Sequence, residues 1–270
     1  MKETVLKKFF EKNHKSLEIQ SILFSLAVLL LAWLFFARQI NSELILPSPE
    51  LVFAKMGELF TGESFWRIFM GSMRHVLLGF SLAFVIGVTT GILSGLVKSF
   101  NWFIYPWLLL LRATPVMSFI LYLLLFVPTP YVAVWVSFFI VYPVIYTNVL
   151  EGFKAVDHNL LEMAKLYGVS FKSQLRHIYI PSIFPYLMAA SLTGMGMNIK
   201  AVVTAEALAL PENAIGTELF MARNYLDTES ILAWTIFIIL MAVVLDLILL
   251  GLKWALTKGR RRYVIQRRKS

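Results

Sequence analysis

The 270-residue chain contains no cysteine. That excludes disulfides, thiolate metal sites and cysteine nucleophiles. Charge is scarce too. Asp, Glu, Lys and Arg make up 15% of the residues, where a soluble domain carries about a quarter. Only four histidines occur, none in an H-E-x-x-H or comparable spacing, so no metal centre is expected. No Gly-x-x-x-x-Gly-Lys-Ser/Thr stretch is present, so no ATP phosphate loop is expected. Ser and Thr occur without a base at a suggestive spacing, which leaves nucleophilic catalysis without a constellation. The expectation is a protein without catalytic residues and without a cofactor.

What the chain has in abundance is apolar sequence. Apolar residues make up 59%, and the mean hydropathy is +0.73. This composition predicts an all-α integral membrane protein of about six transmembrane helices. The candidate spans are 19–37, 73–97, 102–127, 131–150, 186–205 and 231–256. The first follows a charged arm and is long enough to span, so it reads as a retained helix and not a cleaved signal. Pro47 and Pro49 open a short surface helix, and Pro143 is a possible kink in the fourth span. Within the second span Gly79, Ala83, Gly87, Gly91 and Gly95 recur every four residues. Such a stripe on one helix face predicts close packing against another helix, in the same chain or in a second copy. The domain reading is a basic arm at 1–18, a transmembrane domain at 19–256 and a basic tail at 257–270.

The formal charge is +9, and its distribution sets an orientation. With six spans, both termini, Lys98 and the polar loop at 151–185 share one side, which holds 17 of the 25 Lys and Arg. The opposite loops hold Arg38, Lys55, Arg67 and Arg223, with Arg74 at a membrane edge. The positive-inside rule places the termini and the loop in the cytoplasm. These basic residues read as topology and lipid headgroup contact, not nucleic-acid binding.

One stretch between the apolar runs is polar: DHNLLEMAKLYGVSFKSQLRHIYIP, 157–181. It predicts two short amphipathic helices joined by a turn. Asn159 caps the first, with Glu162 completing a capping box. Leu160, Ala164 and Tyr167 form its apolar face, and Gly168 ends it in a left-handed conformation. Ser170 caps the second, whose face is Phe171, Leu175 and Ile178, and Pro181 turns the chain back to the bilayer. A helix–Gly–helix outside the membrane, tied to the bundle at both ends, suits docking of a soluble partner.

The spacing of Glu162, Ala164, Gly168, Ile178 and Pro181 resembles the cytoplasmic EAA loop of permease subunits in binding-protein-dependent ABC importers. Met163 and Ile180 depart from that pattern, each with another apolar residue. Further segments resemble the nitrate, sulfonate and taurine branch: 46–60, 75–96, Arg112–Pro115, TAEAL at 204–208 and RNYLDTESILAW at 223–234. Between Pro115 and Phe138 the chain is shorter and more apolar than that branch. The resemblance implies a cytoplasmic (inner) membrane permease that forms its pore with a second copy of itself. It implies partner ATPase subunits beneath and an extracytoplasmic solute-binding protein above.

Ionisable residues inside a membrane are costly and therefore informative. Arg112, Pro115, Met195, Asn198 and Glu206 are candidate translocation-path residues. For Arg112 the other reading is a structural pair with a carboxylate or a helix C-terminus. For Glu206 it is a salt bridge. Asp246 reads as a structural pairing and Lys200 as a snorkelling side chain. The solute is expected to be nitrate-, sulfonate- or taurine-like, the alternative being a neutral vitamin precursor. A self-contained secondary transporter would need internal repeats and coupling carboxylates, of which the sequence offers one, Asp246.

Overall fold

A computed structural model of the chain describes residues 2–267, with side-chain surroundings for residues 20–256. The side chains of the basic arm and of the tail lie outside that set. The described residues form helices and connecting turns, with no strand among them. In chain order the helices are α1 (Lys2–Ile40), α2 (Pro49–Thr61), α3 (Phe65–Leu96), α4 (Lys98–Ala113) and α5 (Val116–Leu123). There follow α6 (Thr129–Lys154), α7 (His158–Leu166), α8 (Phe171–Gln174), a π turn (Leu175–Tyr179), α9 (Ile180–Ala209), α10 (Ile215–Asn224) and α11 (Thr228–Arg267). Among the described residues, five stretches are long and apolar enough to cross a membrane: Gln20–Ile40, Phe65–Leu96, Thr129–Lys154, Phe171–Ala209 and Thr228–Leu256.

The expected third span is not one helix. α4 and α5 meet at a bend of 100°, and together they make a sixth crossing only if the bent pair counts as one. Pro115 is the cause. It has no N–H to continue the helix, and its ring drives the preceding residue out of the helical region. Thr114 accordingly sits at φ −73, ψ 124, while its hydroxyl turns back onto Leu110 O at 2.7 Å.

The expected fifth span is also longer than its apolar core, because Pro181 does not turn the chain. Pro181 lies in the first turn of α9, where a missing N–H is tolerated, and Pro185 lies further inside. The π turn ahead of them resets the hydrogen-bond register, with Ile180 N–H bonded to Leu175 O. Helix therefore runs from Phe171 through to Ala209. Pro143 similarly sits inside α6 without ending it.

Contacts divide the chain into two units. The first is Met1–Gly62 with Ala222–Ala233. Here Trp33 Nε1 donates to Pro47 O at 3.1 Å, its ring lies 6.5 Å from that of Phe53, and Thr228 Oγ1 donates to Glu43 O at 2.9 Å. The second unit is Glu63–Met221 with Trp234–Ser270. Its core is α6, flanked by α3 on one side and α9 on the other. Val76, Ala83, Val136, Ile145, Val149 and Val202 are buried there.

The small-residue stripe of α3 faces α6. A β-carbon on Gly79 would overlap Ser137 Oγ, and one on Gly87 would lie 2.9 Å from Ile145 Cγ2. One on Gly91 would lie 2.8 Å from Val149 Cγ1, and one on Gly95 would run into the Phe153 ring. Ala83 is fully buried between these glycines. Gly152 on α6 meets α9 in the same way, 2.9 Å from the Ile183 Cα. Polar bonds tie α6 to α3 and to α4: Tyr146 Oη lies 2.7 Å from Ser94 Oγ and 3.0 Å from Asn101 Oδ1.

The stripe carries a prediction. Gly87→Leu should separate α3 from α6 and cost about 1–3 kcal/mol or more by overpacking. Gly196, with nothing within 4 Å of its notional β-carbon, should accept Ala without loss. Thermal unfolding of the purified protein in detergent measures both. An unshifted midpoint for Gly87→Leu would overturn the packing assignment.

Candidate functional site

Among the described residues, the expected site residues fall in three polar constellations. The first is the loop between α6 and α9. Asp157, not Asn159, is the N-cap of α7, its side chain accepting from Asn159 N at 2.9 Å. Glu162 forms no capping box and instead lies 3.2 Å from His158 Nδ1, one turn back on the helix surface. The helix ends in a paired motif, with Gly168 N bonded to Lys165 O and Val169 N to Ala164 O. Gly168 takes φ +62 and has open space around it. Ser170 occupies the N-cap of α8 but makes no side-chain bond there, while Gln174 Nε2 braces the turn on Val169 O at 2.8 Å.

Of the apolar face expected on α7, only Ala164 is buried, at 6% exposure. Leu166 and Tyr167 are 85% and 78% exposed, and Met163 and Phe171 are more than half exposed. Apolar side chains thus crowd a polar turn with none of the described residues over them. Ile178 and Pro181 are half-buried on the continuous helix behind it. There the Tyr179 ring stacks on Phe153 of α6 at 4.4 Å.

The second constellation is the elbow at Pro115. Beneath it lies a cavity of about 380 Å³ lined by α4, α5, α6 and Met197 of α9. Its lining is apolar apart from Arg112 and Thr114. The Arg112 guanidinium is exposed, and its Nη2 donates to Thr147 Oγ1 and, at 3.5 Å, to Pro143 O. Arg112 therefore bonds a hydroxyl and a carbonyl, where a carboxylate or helix terminus was the structural expectation. Thr147 was not anticipated. Its signal was a hydroxyl one turn after Pro143 in an otherwise apolar span.

The third constellation lies at the end of α9 far from the loop. Glu206 is fully buried. Its Oε2 accepts from Ser72 Oγ at 2.7 Å and Gly216 N at 3.0 Å, and its Oε1 lies 2.8 Å from His75 Nδ1. Nearby, Asn198 Nδ2 donates to Val76 O at 2.9 Å. The five expected path residues are thus not brought together. Arg112 and Pro115 are exposed at the elbow, whereas Met195, Asn198 and Glu206 are buried in the bundle. On α9 it is Met197, 44% exposed, that reaches the cavity. The reason is helical phase: 195, 198, 202 and 206 share one face of α9, and that face is the one packed inward. Ser72 and His75, the partners of Glu206, carry a visible sequence signal as two polar residues three apart in an apolar span. Asp246 does not show the expected pairing: its Oδ1 is buried without a hydrogen-bond partner among the described residues.

Residues 83–262 match the family described as binding-protein-dependent transport system inner membrane component. The chain is 26% identical to the taurine transport system permease protein TauC of Escherichia coli, over 86% of this chain and 87% of that protein. It is 24% identical to the putative aliphatic sulfonates transport permease protein SsuC of Bacillus subtilis, over 82% and 80%. Against the bicarbonate transport system permease protein CmpB of Synechococcus elongatus identity is 25%, over 67% and 66%.

The Arg112 geometry separates two contributions that one substitution would confound. If Arg112 serves a solute path as well as the tie to α6, Arg112→Gln, which removes the cation, should lower solute flux in reconstituted vesicles more than about tenfold, the scale of a lost charge-assisted bond. Thr147→Val removes one acceptor and keeps the cation and the Pro143 carbonyl, so it should cost less than about threefold. Equal losses in the two variants would reduce Arg112 to a tie between α4 and α6.

Proposed function

Because the chain belongs to the binding-protein-dependent transport system inner membrane components and is an ABC importer permease, we propose that it moves a small anionic solute with energy from separate ATPase subunits. The observation that carries this is the uncovered apolar turn around Gly168, with Leu166 and Tyr167 almost wholly exposed. An apolar patch on a polar segment marks a protein contact. An ATPase groove that takes α7 and α8 would also move α9, because helix is continuous from Phe171 to Ala209. Tyr179 stacked on Phe153 would pass part of that motion to α6. The chain itself is a non-catalytic subunit in this reading.

The cavity under the Pro115 elbow serves as this subunit's share of the path. Among the described residues, Arg112 is the one charged side chain lining it. A planar guanidinium suits an oxyanion, and the names of the taurine, sulfonate and bicarbonate relatives agree with an anion or zwitterion. A neutral vitamin precursor would give Arg112 nothing to attract. Two copies form the pore, an extracytoplasmic binding protein delivers solute, and the protein is multi-pass in the cytoplasmic membrane. The distribution of Lys and Arg favours both termini, the arm at 1–18, the tail at 257–270 and the loop at 151–185 on the cytoplasmic side.

Two predictions test this. Space at Gly168 is open, so its substitution is limited by positive φ alone. Asn tolerates that conformation and Val does not, at about 1–2 kcal/mol. Gly168→Asn should co-purify with the ATPase and transport, whereas Gly168→Val should insert normally and lose both. Equal behaviour of the two would remove the loop from coupling. For topology, the cysteine-free chain allows single-cysteine labelling in intact cells. Ser48→Cys should react with a membrane-impermeant thiol reagent and Ser173→Cys should not. Labelling of Ser173→Cys from outside would reverse the orientation.

A further inference from the structure

The segment that follows α9 does not hold its own shape. Leu210 sits at φ 53, a left-handed conformation costly for a branched side chain, and Asn213 follows at φ 54, which Asn tolerates. Such strain persists only where surrounding structure imposes it. The imposing contacts are tight. A β-carbon on Gly71 of α3 would overlap Asn213 O, and one on Gly216 would overlap Val203 O of α9. Pro211, Ala214 and Ile215 are buried, and Thr217 Oγ1 closes the segment on Pro211 O at 2.7 Å.

The polar bonds all converge on the first turn of α10. A helix begins with backbone N–H groups that have no partner inside it. Here Ile215 N donates to Ser72 Oγ at 2.8 Å, and Ser72 Oγ in turn donates to Glu206 Oε2. Gly216 N donates to the same carboxylate oxygen. The start of α10 is thus capped by side chains from α3 and α9, with a negative charge at the end of the helix that favours it. His75 holds the other oxygen, and its ring lines a cavity of about 280 Å³ beside Arg74, Glu212 and Asn213.

We propose that Glu206 is a positioning residue: through Ser72, His75 and Gly216 it fastens the 211–216 segment and the start of α10 to α3 and α9. It does not meet the solute, because no part of it is exposed. Its contribution to transport is the fixed placement of α10, a consequence that rests on the importer reading. The anchoring itself does not.

Gln separates this role from that of a path charge. Its Oε1 can accept from Ser72 and Gly216, and its NH₂ can donate to His75 in the other tautomer. Glu206→Gln therefore keeps every bond of the anchor and discards the charge. Glu206→Ala discards both and leaves Ser72 and Gly216 N buried with no acceptor.

The test uses the full chain in membranes with Ala214→Cys, a fully buried position in a cysteine-free background. A maleimide should label this cysteine about tenfold faster or more in Glu206→Ala, and within about twofold of the parent in Glu206→Gln. Uptake by the reconstituted complex should follow the same order, with Glu206→Gln keeping at least about half of the parent rate and Glu206→Ala nearly none. Unchanged labelling in Glu206→Ala would overturn the proposal. So would a Glu206→Gln that loses uptake while the thiol introduced by Ala214→Cys stays protected, since charge and not anchoring would then be the requirement. If Glu206→Ala is not recovered in membranes, Ser72→Ala decides: labelling about threefold faster supports the anchor, and an unchanged rate overturns it. A parent complex without uptake would count against the importer reading alone, because the labelling order needs neither solute nor ATPase.

Discussion

The close approach of α3 to α6 is the contact on which the second unit depends. Helices in a bilayer gain nothing by hiding apolar surface from lipid, which is as apolar as they are. They associate through dispersion and polar bonds, and dispersion needs backbones near one another. Gly79, Gly87, Gly91 and Gly95 supply that nearness along the second half of α3. Ser137, Ile145, Val149 and Phe153 on α6 fill the space that the missing side chains leave. Gly152 and Ile183 repeat the device on the other face, so α6 is held between two helices.

Polar groups then tie what the glycines bring together. A polar group in hydrocarbon must find its partner within the protein. Asn198 ties α9 to α3 through Val76 O, Tyr146 ties α6 to α3 and α4, and Arg112 ties α4 to α6 through Thr147. Glu206 does the same at the far end of α9, where its buried side chain is held by two donors, Ser72 Oγ and Gly216 N, and by the His75 ring. These bonds are short-ranged and directional, so they fix helix rotation as well as distance. That rotation decides which residues meet the elbow cavity and which are sealed inside.

Proline shapes the remainder in two opposite ways. At Pro115 the chain bends by 100° and opens a cavity beside Arg112. At Pro181 it does not bend, because the residue falls in a first helical turn and a π turn absorbs the register. The second outcome joins the exposed loop to the membrane helix as one body. A force on α8 reaches α9 without crossing a hinge of irregular chain.

Some of this was legible in the amino-acid order alone. Length and apolarity of the runs dictated an all-α membrane protein, since backbone groups in lipid must be satisfied within a helix. The four-residue spacing of glycines named the packing face of α3, and Gly168 named the end of α7, because each follows from local geometry. The loop resemblance rested on spacing, which sequence preserves. The path residues were not legible in the same way. Arg112 and Glu206 look alike in one dimension, as lone charges in apolar spans. Only the rotation of α9 against α3 showed that Glu206 faces Ser72 and His75, more than a hundred positions away, while Met197 faces the cavity. Asp157 displaced Asn159 as the cap of α7, and Pro181 failed to end the loop, because several residues there were locally competent. Tertiary structure decided those cases, because side-chain partners distant in sequence carry the energy that separates one local choice from another.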